Sequence, residues 1–174
     1  MKKLLCIAPH LSTGGLPQYL TKKVELIKDE IEVYLVEWDN LTGGVLVVQK
    51  DRLQSMIPPE RFFVLGEDKN ELFDIIDQIQ PDIIHLEEIP EYFMDFDIAK
   101  KLYSQDRSYS LIETSHDSSM DTNNKTFFPD KFIFVSEWQK EQYKNINVPQ
   151  EVIYYPIEYK ERPNREEALN SLGL

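Results

Sequence analysis

Short apolar runs alternate along the chain with longer stretches in which apolar residues recur every three or four positions. Leu4 to Ala8 is a continuous apolar run closed by Pro9. That is how a strand buried on both faces reads. From Leu16 to Asp29, Leu16, Leu20, Val24 and Ile27 form one stripe with Lys22, Lys23 and Glu25 between them, a helical spacing. Ile31 to Trp38 reads as a second strand. A Gly43-Gly44 turn, a short strand at Val45 to Val48 and a short helix at Asp51 to Ile57 follow. Arg61 to Leu65 is a strand ended by Gly66. Asn70 to Gln80 is a helix halted before Pro81, because the residue preceding proline avoids the helical region.

The alternation continues with a strand at Asp82 to Leu86, a helix at Tyr92 to Tyr103 and a strand at Tyr109 to Glu113. Thr114 to Lys125 is polar and lacks a hydrophobic period. Lys131 to Val135 is a strand. Ser136 begins a helix to about Lys144, and Gln139 three residues on fits a capping box. Val152 to Tyr155 reads as the last strand. Lys160 to Asn164 reads as a linker, and Arg165 to Leu172 as the opening of another helix. Strands alternating with helices predict an α/β fold, a Rossmann-like parallel sheet with helices on both faces. Functional loops of such a sheet follow the carboxyl ends of its strands. Four polar loops do so here, at Pro9 to Leu16, Glu87 to Glu91, Thr114 to Asp121 and Ser136 to Trp138.

At 174 residues the chain has room for one domain, and 41% hydrophobic residues suffice for a core. A net charge of −12 argues against a nucleic-acid partner, which needs clustered cations. The single cysteine, Cys6, excludes an internal disulfide and a Cys-rich zinc site. It sits in an apolar run and reads as a buried thiol of a reducing, cytoplasmic setting. No apolar run approaches the roughly 20 residues of a membrane span.

Each polar loop offers chemistry and also a plainer reading. Gly14-Gly15 after the first strand would let backbone amides at a helix start meet a phosphate. It fits a tight strand-to-helix turn equally well. It is neither a Gly-x-Gly-x-x-Gly fingerprint nor a P-loop. His116, on a polar loop beside Ser115 and Asp117, is placed to bind or move a proton. A His bonded to its own loop reads the same way. Glu87, Glu88 and Glu91 are carboxylates for a hydroxylated ligand, or a solvated loop. His85, inside an apolar strand, reads as a satisfied core residue, whereas His10 follows the first strand beside the glycines. The three histidines have no metal-ligand spacing. Ser136 reads chiefly as a helix cap and Trp138 as a packing residue, and no Gly-x-Ser-x-Gly elbow supports a catalytic serine.

Five stretches in order, the strand with Gly14-Gly15, Pro81-Asp82-Ile83-Ile84-His85, Thr114-Ser115-His116-Asp117, Phe132 to Trp138 and Val152 to Glu158, together resemble the N-terminal domain of glycosyltransferase family 4. These are retaining GT-B enzymes that use nucleotide-activated sugars. The resemblance implies a Rossmann-like acceptor-side domain at residues 1–160. Residues 161–174 would be a linker and the start of a C-terminal nucleotide-sugar-binding domain. It implies a nucleotide-diphosphate sugar donor on Gly14 and Gly15, with His116 by the reacting sugar. His10, Glu87, Ser115, Asp117 and Ser136 would line the cleft or the acceptor side. The acceptor would be a glycan, a lipid-linked group or a small molecule, and the C-terminal GT-B domain a necessary partner. No cofactor or metal is implied. Membrane-bound acceptors are common in the family; Lys22 and Lys23 on the first helix are the cations that would touch a membrane surface, a reading the net charge of −12 weighs against. Where the family carries Asn-Gly-Val-Asp, this chain has Tyr155-Pro156-Ile157-Glu158, with Glu158 in place of the acid. A stand-alone, non-catalytic α/β binding module and half of a GT-B sugar-nucleotide epimerase are the alternatives. A receiver-type phosphoacceptor is disfavoured, because the first strand ends in Ala8-Pro9-His10.

Overall fold

A computed structural model describes residues 1–40, 48–117, 119–157 and 164–173. Its elements are β1 (Lys3–Ala8), α1 (Gly15–Ile27), β2 (Glu32–Glu37), α2 (Val48–Met56), β3 (Phe62–Val64), α3 (Glu71–Ile79), β4 (Ile83–Leu86), α4 (Phe96–Leu102), β5 (Ser110–Ser115), β6 (Lys131–Phe134), α5 (Glu137–Gln142), β7 (Gln150–Val152) and α6 (Arg165–Ser171). The strands form one seven-stranded sheet in the order β3-β2-β1-β4-β5-β6-β7, parallel at every pairing. The expected α/β Rossmann-like sheet is therefore the fold observed.

Alternation along β1 explains why helices cover both faces. Leu4, Cys6 and Ala8 pack with Leu20 and Val24 of α1 and Leu53 of α2. Leu5 and Ile7 point the other way, to Leu72 and Ile76 of α3 and Ile98 and Leu102 of α4. A smaller cluster joins Phe132 and Phe134 of β6 to Tyr143 and Met120. The strand order reverses between β1 and β4, so their carboxyl ends open the crevice where such sheets bind ligands.

Several elements differ from the sequence expectation. The helix expected over Tyr92 to Tyr103 divides into a 3₁₀ turn at Pro90–Tyr92 and α4. Glu91 is the reason: its carboxylate accepts the N–H groups of Thr126 at 2.8 Å and Phe127 at 3.1 Å and pairs with Lys125 at 2.8 Å. Those long-range bonds hold the segment apart from the helix. The last strand is Gln150–Val152 rather than Val152 to Tyr155: Ile153 N–H makes the final bond to β6, on Phe134 at 2.9 Å, and the chain leaves the sheet after it. Ser136 does cap α5, accepting the Gln139 N–H at 3.1 Å. The reciprocal capping-box bond is not made: Gln139 Oε1 accepts from Val135 N–H at 3.2 Å instead. The expected strand at Val45 to Val48 falls mostly outside the described residues, and Val48 opens α2. Glu158 and most of the expected linker also fall outside them.

Candidate functional site

The loop after β1 is anchored from below. Leu11 N–H donates to the buried Glu37 at 2.8 Å, and Glu37 pairs with Lys50 of α2 at 2.5 Å. His10 Nδ1 lies 3.0 Å from Ser12 Oγ. Gly14, the N-cap of α1, has φ 125° and ψ −180°, a region open essentially to glycine. Gly15 and Leu16 follow with backbone N–H groups that the first helical turn leaves unpaired, and Pro17 has none to offer. A Cβ on Gly15 would meet Tyr155 Oη at 3.9 Å, an ordinary contact.

Tyr155 joins the two halves of the rim. Its hydroxyl lies 2.6 Å from Nδ1 of His116, just beyond β5. Tyr19 of α1 meets the rings of both edge-on, at 5.0 Å from His116 and 5.1 Å from Tyr155. The expected neighbours Gly15 and His116 thus flank one phenol. Burial pushes the His116 imidazole down to about 4, so it is neutral at pH 7. Its Nε2 is buried and has no hydrogen-bond partner among the described residues.

The other expected site residues divide between the rim and the interior. Glu87 does not face the cleft: it is fully buried, bonded to Lys23 at 2.5 Å. Lys23 also reaches His85 Nδ1 at 2.6 Å, and His85 Nε2 reaches Thr114 Oγ1 at 2.7 Å. An ammonium group only donates, so Nδ1 of His85 accepts and its Nε2–H donates to Thr114. Burial holds the His85 imidazole down to about 3, which keeps it neutral. Burial alone would raise the Glu87 carboxyl. The Lys23 ammonium, bonded to it at 2.5 Å, outweighs burial and holds Glu87 well below the usual carboxylate range. Lys23 is therefore turned inward and is not a surface cation, which corrects its reading as a membrane contact. Cys6 is fully buried at this network's edge, and burial raises its thiol far above the ordinary value.

Ser115 is buried, with its Oγ on the Asp117 carbonyl at 3.1 Å. Gln139 Nε2 donates to the carbonyls of Ser115 at 3.1 Å and Asp117 at 2.9 Å, so Ser115 and Ser136 fasten this loop to α5. The Asp117 carboxylate accepts from Ser119 N–H at 2.8 Å and Oγ at 2.7 Å, which lowers its pKa. Trp138 is 61% exposed in the first turn of α5, not packed.

Sequence reasoning passed over several participants. Lys23 stands three residues after Leu20 and four before Ile27, on the buried stripe, and that was its available signal. Glu88, one of the three carboxylates expected near the site, does sit on the rim, accepting the Ile89 N–H at 2.9 Å and bonded to the His116 backbone. Burial raises its carboxyl to about 7. Lys125, from the polar stretch, is buried between Glu91 and Glu113. Glu113 also accepts from the Tyr103 hydroxyl, and burial raises it to about 7.

Beside the Gly15–Tyr155–His116 group lies a cleft of about 560 Å³ between α1, α2 and residues 155–157. Lys22 and Arg52 line it with Gln18 and Gln49, and no acid does. Glu25, behind the lining, pairs with Lys22 at 2.9 Å and Arg52 at 3.3 Å. In a chain of net charge −12, this is a locally cationic opening next to the start of α1, suited to an anionic ligand. Among the described residues no group of three or more His, Cys, Asp or Glu is placed to hold a metal ion. None of the described helices is long and apolar enough to cross a membrane.

No family model matches the chain, and no curated protein matches it. Solved structures do. The crystal structure of Anabaena Alr3699/HepE in complex with UDP-glucose superposes with a TM-score of 0.65 at 12% identity, over 99% of this chain and 50% of that one. The complex of the same protein with UDP and glucose gives a TM-score of 0.65 at 14% identity and the same coverage. The chain spans about half the length of these structures, and at such identity the likeness is one of fold.

Proposed function

We propose that this chain is the N-terminal, acceptor-side half of a retaining GT-B glycosyltransferase of the family 4 type, with a nucleotide-diphosphate sugar as donor. The observation that carries the reading is the superposition of 99% of the chain on half of a structure solved with UDP-glucose. The local geometry supports it. The helix start with paired glycines, the neutral histidine and the cationic cleft all lie on the carboxyl rim of the sheet, at or beside its switch point. The domain extends to about residue 160, and the exposed Trp138 and Ile157 belong to the surface a C-terminal GT-B domain would cover.

In this reading the donor diphosphate rests on the N–H groups of Gly15 and Leu16. Gly14 supplies the backbone turn that aims them, and the absence of a side chain at Gly15 leaves them open. These donors stabilise the charge that develops on the departing diphosphate. His116, neutral and held by Tyr155, contacts the reacting sugar. His10 and Asp117 lie toward the acceptor, which is a glycan, a lipid-linked group or a small molecule. Glu87, Ser115 and Ser136 hold the site in shape from beneath and touch no substrate. The enzyme works in the cytoplasm.

The test is donor turnover by the full-length protein, read as nucleoside diphosphate released from a panel of sugar nucleotides that begins with UDP-glucose. Proton NMR of the new linkage then gives its configuration. Retention, and loss of turnover in His116→Ala with an unchanged circular dichroism spectrum, support the reading. Inversion overturns it, as does the lack of both turnover and any amide shift at Gly14 to Leu16 on adding UDP-glucose.

A further inference from the structure

After Ile153, whose N–H still bonds Phe134 of β6 at 2.9 Å, the chain leaves the sheet edge and crosses to the start of α1, where Tyr155 meets His116. A neutral imidazole has one accepting nitrogen and one N–H, and the partner of one nitrogen decides the state of the other. A phenol is a strong donor through its O–H and a weak acceptor through its oxygen. We propose that Tyr155 is a positioning residue that donates its O–H to His116 Nδ1, fixing the ring as the Nε2–H tautomer and making His116 a hydrogen-bond donor rather than a base.

Three observations support the assignment. The Oη···Nδ1 distance of 2.6 Å is that of a short, well-formed bond. Tyr19 holds both rings edge-on, so neither is free to turn away. Nε2 is buried without a partner among the described residues, so with Nδ1 engaged by Tyr155 it is the one polar atom of the ring left for a ligand to satisfy. Burial keeps the imidazole uncharged, in line with the same assignment. For the reaction the consequence is specific, and this consequence alone rests on the function proposed above. His116 offers a hydrogen to a sugar hydroxyl or to a phosphate oxygen. It has no lone pair with which to take a proton from the acceptor.

The experiment is a long-range proton–nitrogen correlation spectrum of the imidazoles in the 15N-labelled 174-residue chain at pH 7, without ligand. The expected result is a His116 with Nε2 protonated and Nδ1 as an unprotonated, hydrogen-bonded nitrogen. A protonated Nδ1, or an imidazolium, overturns the proposal in the wild-type spectrum alone. In Tyr155→Phe the Nδ1 resonance is expected to move toward the position of an unbonded nitrogen while the backbone amide spectrum outside residues 153–157 and 114–117 stays in place. An unmoved Nδ1 in a folded variant overturns it too. No sugar nucleotide is used. A chain that shows this tautomer and fails the turnover test therefore keeps the Tyr155 assignment and loses the enzymatic reading.

Discussion

Replacing Lys23 by methionine removes the cation from the buried group beneath the site and keeps the volume of its stem. The ammonium bonds Glu87 at 2.5 Å and His85 at 2.6 Å, and the Glu87 side chain is fully buried. In Lys23→Met the Glu87 carboxylate loses its counter-charge, and its Oε2 has no hydrogen-bond partner among the described residues to begin with. Breaking a buried pair from one side costs about 3–5 kcal/mol. The escape route gives a similar figure. At pH 7 Glu87 can instead take up a proton, and holding a group of ordinary pKa near 4.5 protonated there costs roughly 3 kcal/mol. With a urea slope of about 2 kcal/mol/M, the midpoint should fall by about 1.5–2.5 M. Circular dichroism against urea at pH 7 and pH 5 is the assay. The loss should be smaller at pH 5, because protonating Glu87 there costs about 1.4 kcal/mol less for each pH unit. Lys23→Met with Glu87→Leu should recover most of it, since an apolar pair often replaces a buried ion pair without loss. A cost under about 1 kcal/mol, typical of exposed pairs, refutes the reasoning. So does a penalty that is equal at both pH values.

Other outcomes follow from the same geometry. Gly14→Ala should lower stability by about 1–3 kcal/mol in urea titrations, because its φ of 125° excludes a side chain. Gly15→Ala should be neutral to stability, since a Cβ there makes only an ordinary contact, and on the function proposed above it should weaken sugar-nucleotide binding measured by calorimetry. His116 should titrate by NMR near 4. Its folded pKa lies below the unfolded value near 6.5, so its contribution to stability is complete above pH 6.5 and is lost as pH falls from there toward 4. Glu113 acts in the opposite sense. Its folded pKa is raised to about 7, so its contribution declines as pH rises from about 4.5 to 7, and Glu113→Gln should remove that decline. Acrylamide should quench tryptophan fluorescence in two populations, with Trp138 accessible and Trp38, 2% exposed, protected. A single population would contradict the placement of α5.

Much of the fold was legible because strands buried on both faces announce themselves. Leu4 to Ala8 and Phe132 to Phe134 have apolar side chains at every position, and α3 carries an unbroken apolar stripe. The glycines, His116 and the polar loops could be placed on one rim from strand order alone. Long-range pairing was what the sequence withheld. Lys23 and Lys125 look like solvated charges until the fold brings Glu87, Glu91 and Glu113 to them. The same pairing divided the expected helix over Tyr92 to Tyr103. The three acids after β4 are alike in sequence, yet one is an interior counter-ion, one a rim group and one an anchor. Tyr155 reads as strand by composition, and its partner His116, 39 residues earlier, is not visible in the sequence.

The two outermost strands, β3 and β7, are three residues each, whereas the inner ones run to four or six. An open sheet exposes a ladder of unpaired amides and carbonyls at each side, and that ladder is what seeds strand-by-strand aggregation. Here the sheet tapers, so an incoming strand finds three residues to zip against at either side and gains little register. The taper thus leaves little backbone at either side for a foreign strand to pair with.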